Sequence, residues 1–196
     1  MDHEITRRDT VLGLAGVLGG MSLGSAGARA ADWTPKPPFV GRQLNAELVL
    51  QINVKLGPIE DMGAGADGHR INYPIVGGYF SGRGLKGEVI PGGADMSVRR
   101  NDGVTLIEAL YRLKTDDEQV LIIDNAGIFR PNAVGRKKLA AGEELLERDY
   151  YCLTSPKFKT PPGKYNWLTE HIFVGTIDDV SEQEVLIGCY LMTQVG

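Results

Sequence analysis

Between Val76 and Asp95 the chain reads VGGYFSGRGLKGEVIPGGAD, a stretch with seven glycines and one proline. Gly77-Gly78 precede one short apolar-polar run, and Ser81-Gly82-Arg83-Gly84 separates it from a second. Pro91-Gly92-Gly93 then closes the second run and turns the backbone to present Asp95. This pattern predicts a strand, a tight corner, a second strand and a sharp turn, because glycine and proline mark the positions that need special backbone angles.

The rest of the chain adds strands to that hairpin. From Asn45 to Leu56 the residues Ala46, Leu48, Leu50, Ile52, Val54 and Leu56 alternate with mostly polar neighbours, the period-two pattern of a half-buried strand. Thr105–Thr115 and Gln119–Asn125, joined by Asp116-Asp117-Glu118, form a second hairpin. Tyr165–Ile177 and Glu184–Gln194 form a third. Only Val134–Arg148 departs from the pattern, with leucines and paired charges that predict a short helix. Pro58–Gly68 reads as a glycine- and acid-rich loop. Within it, Gly63-Ala64-Gly65-Ala66-Asp67-Gly68 matches a dinucleotide-binding G-x-G-x-x-G in letters only. No helix opens after it, so it predicts a lid or a hairpin loop. Eight or nine strands at near-regular spacing predict an all-β fold, a single up-and-down antiparallel barrel with one short helix. An open sandwich is the alternative. A barrel of about eight strands is filled by its side chains or holds one small ligand.

The N-terminus has a different character. Thr6-Arg7-Arg8-Asp9-Thr10-Val11-Leu12, the glycine-diluted apolar run to Gly24 and Ala28-Arg29-Ala30 together predict a twin-arginine export signal over residues 1–30. Trp33–Phe39 is proline-rich, so residues 31–44 read as an extended linker and 45–196 as the barrel domain. The expected address is the periplasm or the exterior. Residues 1–30 carry three arginines and three acids, so the mature part keeps the net charge of −4. A mildly acidic chain without basic clusters excludes a nucleic-acid partner as the expectation. No apolar stretch in the mature part is long enough to span a bilayer as a helix. A small organic ligand is the expected partner, and assembly into a homo-oligomer stays open.

The glycine pattern continues as Asp102-Gly103, Tyr111 and Thr115-Asp116-Asp117. Later come Leu139-Ala140-Ala141-Gly142-Glu143, Asp149-Tyr150-Tyr151, Pro156-Lys157-Phe158 and Tyr165-Asn166-Trp167-Leu168. From about Ala46 to Val195 this resembles the domain of unknown function 3237 family of small β-barrel proteins. The resemblance implies a closed barrel with a cavity, similar to calycins and allene oxide cyclases, and supplies no reaction. The sequence departs from the family's pattern at Leu153, Lys159 and Thr169, where other polar residues are usual. These departures suggest a cavity tuned to a different ligand, or one no longer used for the usual ligand.

Several residues are candidates for chemistry. Asp95, after its Pro-Gly-Gly turn, either caps that turn or is held inward as a general acid or base. Tyr111 shares a strand face with Ile107, Ala109 and Leu113, which places it inward. Asn125 shares a face with Leu121 and Ile123. Trp167, Thr169, His171 and Phe173 line one face of the penultimate strand as read here, an aromatic wall with one imidazole and one hydroxyl. The expected site is therefore Asp95 or His171 moving a proton, with Tyr111 and Tyr151 polarising an oxygen. Trp167, Thr169, Phe173, Asn125 and Phe158 would contact the substrate. The mature chain has two histidines, His69 and His171, and no metal-ligand spacing. Cys152 and Cys189 permit one disulfide, and no nucleophile elbow or P-loop is present.

The expected function is a cofactor-independent proton-transfer enzyme (an isomerase, cyclase or hydratase/lyase) acting on a partly aromatic or unsaturated molecule. The alternative is a non-catalytic calycin-like carrier using the same cavity.

Overall fold

The computed structural model describes residues 43–181 and 183–195. The expected export signal and all but the end of the linker lie outside them. The strands are β1 (Leu44–Leu56), β2 (Glu60–Gly65), β3 (Gly68–Gly82), β4 (Leu85–Arg99), β5 (Thr105–Thr115) and β6 (Val120–Pro131). Helix α1 (Ala133–Ala141) follows, and then β7 (Tyr150–Lys159), β8 (Phe173–Ser181) and β9 (Glu184–Gln194). All pairings are antiparallel, in the order β1-β9-β8-β7-β6-β5-β4-β3. Pairing of β1 with β3, from Leu50↔Gly82 to Leu56↔Ile75, closes these eight strands into a barrel. A closed barrel leaves no free edges, which is how a sheet of short strands avoids unpaired backbone groups.

The glycine-rich hairpin is β3–β4, turning at Arg83-Gly84, with Gly84 at φ 66°. Two segments differ from the sequence reading. The loop Pro58–Gly68 contains β2, which pairs with the start of β3 through a two-residue turn at Ala66-Asp67. Here Gly63 takes a left-handed φ of 80° where the register shifts between Asp61 and Gly63, and the ladder outweighs the low strand propensity of glycine. The run Tyr165–Ile177 is not one strand. Asn166–Leu168 form a 3-10 turn and the strand begins only at Phe173. Local side-chain bonds explain this: Asn166 Oδ1 accepts from Gly163 N (2.9 Å), and Thr169 Oγ1 donates to Asn166 O (2.8 Å). Asn and Thr offer the backbone such alternatives to a ladder.

The barrel is filled at one end and hollow at the other. At the Thr115/Val120 end, Leu50, Ile52, Phe80, Leu113, Leu121, Ile123, Phe158 and Phe173 pack into a continuous core. The 3-10 turn closes this end with Leu168 and Tyr165, both buried. Asp117 ties the cover down. Its Oδ1 accepts from Thr115 Oγ1 (2.5 Å) and from Tyr165 OH (2.7 Å), and its Oδ2 pairs with Lys164 Nζ (2.8 Å). These contacts hold its carboxyl well below the usual range, the Lys164 bond foremost.

At the other end stands α1. Asn132 caps it by accepting from Val134 N and Gly135 N, satisfying donors that have no partner within the helix. Gly142, at φ 70°, ends it in the left-handed conformation. Lys138 Nζ pairs with the buried Asp149 at 2.7 Å, pinning the helix to the segment leading into β7.

Candidate functional site

The hollow end is a cavity of about 1120 Å³, large enough for a drug-sized organic molecule. Period two along each strand decides its lining. On β4 the inward positions are Asp95, Ser97 and Arg99; on β3 they are Ile71, Tyr73 and Ile75. The same face of β5 brings Thr105, Ile107, Ala109 and Tyr111, and that of β6 brings Asn125, Phe129 and Pro131. The rim adds Arg136, Leu139 and Glu144 from α1 and the chain following it.

One row of the ladder carries most of the polar chemistry. Tyr73 pairs with Asp95, Asp95 with Ala109, and Ala109 with Asn125. Adjacent strands lie about 4.8 Å apart, so these residues ring one small patch. Ala109 at its centre contributes only a methyl group and leaves room. Tyr111, the next inward residue on β5, lies deeper and is buried.

Asp95 is held asymmetrically. Its Oδ1 accepts from Ser97 Oγ (3.0 Å) and from the backbone N–H of Glu108 (3.1 Å). Oδ2 has no partner among the described residues and is the oxygen left for a ligand. Burial raises the pKa of this carboxyl, and the two donors oppose the rise without cancelling it. The sequence left open whether Asp95 caps its own turn. The structure shows it bonding across to β5 instead, because the Pro91–Gly93 bulge shifts the register between Ile90 and Ala94. At that bulge Gly92 has φ 91°.

Tyr111 and Asn125 complete the patch. The Tyr111 hydroxyl and both side-chain polar atoms of Asn125 are buried without a hydrogen-bond partner. Burial, with smaller contributions from Cys189 and Asp95, pushes the Tyr111 phenol well up, so it remains a proton donor. Unpaired buried polar atoms cost about 1–3 kcal/mol each. Here they cluster beside a raised carboxyl in a cavity, the arrangement expected of a candidate functional site.

The structure brings Asp95, Tyr111 and Asn125 together and leaves the other candidates elsewhere. His171 is exposed beyond the closed end, its Nδ1 at 2.8 Å from Trp167 O. Tyr151 points out of the barrel and is 55% exposed. Trp167, Phe158 and Phe173 belong to the packing of the filled end, where Phe173 meets Phe158 edge-on and Trp167 at a tilt. Thr169 is exposed at the end of the 3-10 turn. For Trp167, Thr169 and His171 the cause is the turn at Asn166–Leu168, which breaks the strand that would have aligned them. Leu153, Lys159 and Thr169 do not line the cavity, so the departures from the family pattern leave it untouched. Cys152 and Cys189 are free thiols, pushed up to about 11 and about 12 by burial.

Sequence reasoning missed Tyr73, Tyr150, Phe129 and Arg99. Tyr73 lies between Ile71 and Ile75 at period two, a legible pattern. Its phenol is raised chiefly by burial, with Arg99 opposing and Asp95 and Asp179 adding. Tyr150, not Tyr151, faces the cavity, and its ring lies 5.2 Å from that of Phe129. That pair is the aromatic wall, contributed by β6 and β7.

Fold and cavity together define a small closed β-barrel with a polar patch deep in one open end. Residues 44–192 match the family described as protein of unknown function DUF3237, and the chain belongs to that family. It is 36% identical over 134 residues to a UPF0311 protein of Rhodopseudomonas palustris strain TIE-1, covering 68% of this chain and 87% of that one. A crystal structure of a beta-barrel like protein from Acinetobacter baumannii superposes with a TM-score of 0.67 at 29% identity. That match covers 77% of this chain and 97% of the other. A Penicillium herquei protein described as an enzyme shares the fold, with a TM-score of 0.57 and 21% identity over 76% of this chain and 95% of its own.

Proposed function

We propose that this chain is an exported, cofactor-independent proton-transfer enzyme, an isomerase, cyclase or hydratase/lyase, acting on a partly aromatic or unsaturated molecule in the barrel cavity. The observation that carries this reading is the convergence of the free Asp95 Oδ2 with the unpartnered Tyr111 hydroxyl and Asn125 amide. A proton-transfer site needs an acid or base and a separate oxygen stabiliser. Asp95 is the base when ionised and the acid when protonated, and its raised pKa brings the two states closer to neutral pH. The Tyr111 O–H and the Asn125 N–H donate to a substrate oxygen on which negative charge develops. Phe129 and Tyr150 supply an apolar face for an unsaturated ligand. Export rests on the Arg7-Arg8 pair and the apolar run that follows.

The test is mass spectrometry of small molecules released from natively purified protein, wild type beside Ala109→Trp. The indole would fill the patch between Asp95 and Asn125. A compound held by wild type, lost from the folded variant and converted on incubation supports the enzyme. A compound released unchanged supports the carrier instead, and equal retention by both proteins removes the cavity from the account.

A further inference from the structure

We infer that the ligand of this cavity carries a carboxylate, and that Arg99 at the rim is its seat. This rests on the cavity being the binding site and adds the substrate's charge. Arg99 is the third inward position of β4 after Asp95 and Ser97, and it lines the cavity. The neighbouring arginines that point elsewhere are paired: Arg100 with Asp102, and Arg70 with Asp67 at 2.5 Å. Arg99 makes no ion pair or side-chain hydrogen bond among the described residues, and its charge opposes the rise of the neutral Tyr73 phenol, on which Asp179 acts in the other direction. Arg99 is exposed at the cavity mouth with its fork unengaged, which suits a planar two-oxygen anion bound through two parallel N–H···O bonds.

The acids of the rim do not take that place. Asp179 sits on β8, which the strand order puts diametrically opposite β4 in the eight-strand barrel, and it lies against Asp178. Glu144 lies on the chain after α1. Arg136, the other cavity arginine, already spends Nη1 on Pro131 O at 3.1 Å. Arg99 is four residue steps along the strand from Asp95, about 13 Å of rise. A ligand touching both is therefore elongated, with its anion at the mouth and its reacting atom at the patch. An aryl- or alkenyl-alkanoate has that shape.

Isothermal titration of the full mature domain with 6-phenylhexanoate and its neutral amide, 6-phenylhexanamide, tests this. Wild type should bind the carboxylate about 10- to 100-fold more tightly, the range expected for hydrogen bonds to a charged group. Arg99→Gln should erase that preference and leave the amide's affinity unchanged, while Arg99→Lys should keep part of it. Arg136→Gln should matter less than Arg99→Gln. Equal binding of both probes by wild type, or equal weakening of both in Arg99→Gln, overturns the carboxylate seat while leaving the cavity reading intact. A larger loss in Arg136→Gln also overturns the assignment to Arg99. Failure of both probes to bind wild type overturns the seat and the cavity reading together.

Discussion

Tyr73 and Asp95 stand directly opposite each other on the β3–β4 ladder, both turned into the cavity. Directly opposed residues have Cβ atoms about 5 Å apart, so a phenol and a carboxyl share one face of any bound molecule. The Asp95 charge helps to keep the Tyr73 proton in place. The patch thus holds an ionisable oxygen, a second phenol and the buried Tyr111–Asn125 pair around the methyl group of Ala109.

Tyr111 and Asn125 are expected to trade stability for function. Each buries polar atoms without a partner, so Tyr111→Phe and Asn125→Leu should leave the ligand-free protein as stable or more stable by about 1 kcal/mol. For a domain of this size that is a rise of about 2–4 °C in Tm. Turnover should fall by roughly 10²–10³-fold when either donor is lost. A marked fall in Tm in both variants would show that these groups have internal partners in solution.

The Asp95 carboxyl gives stability a definite slope. Its folded pKa is raised above the ordinary carboxylate value, so between those two values the folded protein binds more protons than the unfolded chain. Its contribution is therefore fully present below about pH 4 and is lost as pH rises through the folded value. Asp95→Asn lacks this titration. The Tm of wild type minus that of Asp95→Asn should decline from pH 4 upward and then level off. A difference that grows with pH would mean that the bonds from Ser97 and Glu108 outweigh burial.

Much of the barrel was readable because period two survives in β1, β5, β6 and β9, and Tyr111 was placed inward by its neighbours Ile107, Ala109 and Leu113. The site was only half readable. Asp95 stood out by its turn, but Asn125 could be grouped with Leu121 and Ile123 without showing which face was the interior. Trp167, Thr169 and His171 fit a strand by alternation alone. The side-chain bonds of Asn166 that make a turn there are local and carry no periodic mark. The alternation of Tyr73 with Ile71 and Ile75 was legible, but the place of Tyr73 and Tyr150 in a cavity was not, since knowing which end of a barrel is hollow requires knowing where the bulky core residues collect.

Gly92 and Gly93 should fail differently. Gly92 has a positive φ, and a Cβ there would meet only the Arg112 guanidinium, at 3.4 Å, so Gly92→Ala should cost roughly 1–3 kcal/mol of strain and leave the cavity intact. A Cβ on Gly93 would lie 2.4 Å from Tyr111 Cβ, so Gly93→Ala should cost a similar 1–3 kcal/mol by overpacking and displace Tyr111. Chemical denaturation together with ligand titration separates the two. Unchanged ligand binding in folded Gly93→Ala would contradict the contact.

Export is expected to depend on the paired arginines. Changing Arg7 and Arg8 together to Lys should leave precursor in the cytoplasm, read by cell fractionation. Normal processing and export of that double variant would remove the twin-arginine assignment without touching the fold.

The most direct test is the rate at which Asp95→Asn converts the compound that wild type retains on purification. The substitution keeps the size of the side chain and an acceptor for Ser97 and Glu108, and it removes the proton-carrying oxygen. Turnover should drop by about 10²–10⁴-fold while affinity for the compound stays within a few-fold of wild type. Conversion at the wild-type rate by folded Asp95→Asn would contradict the account.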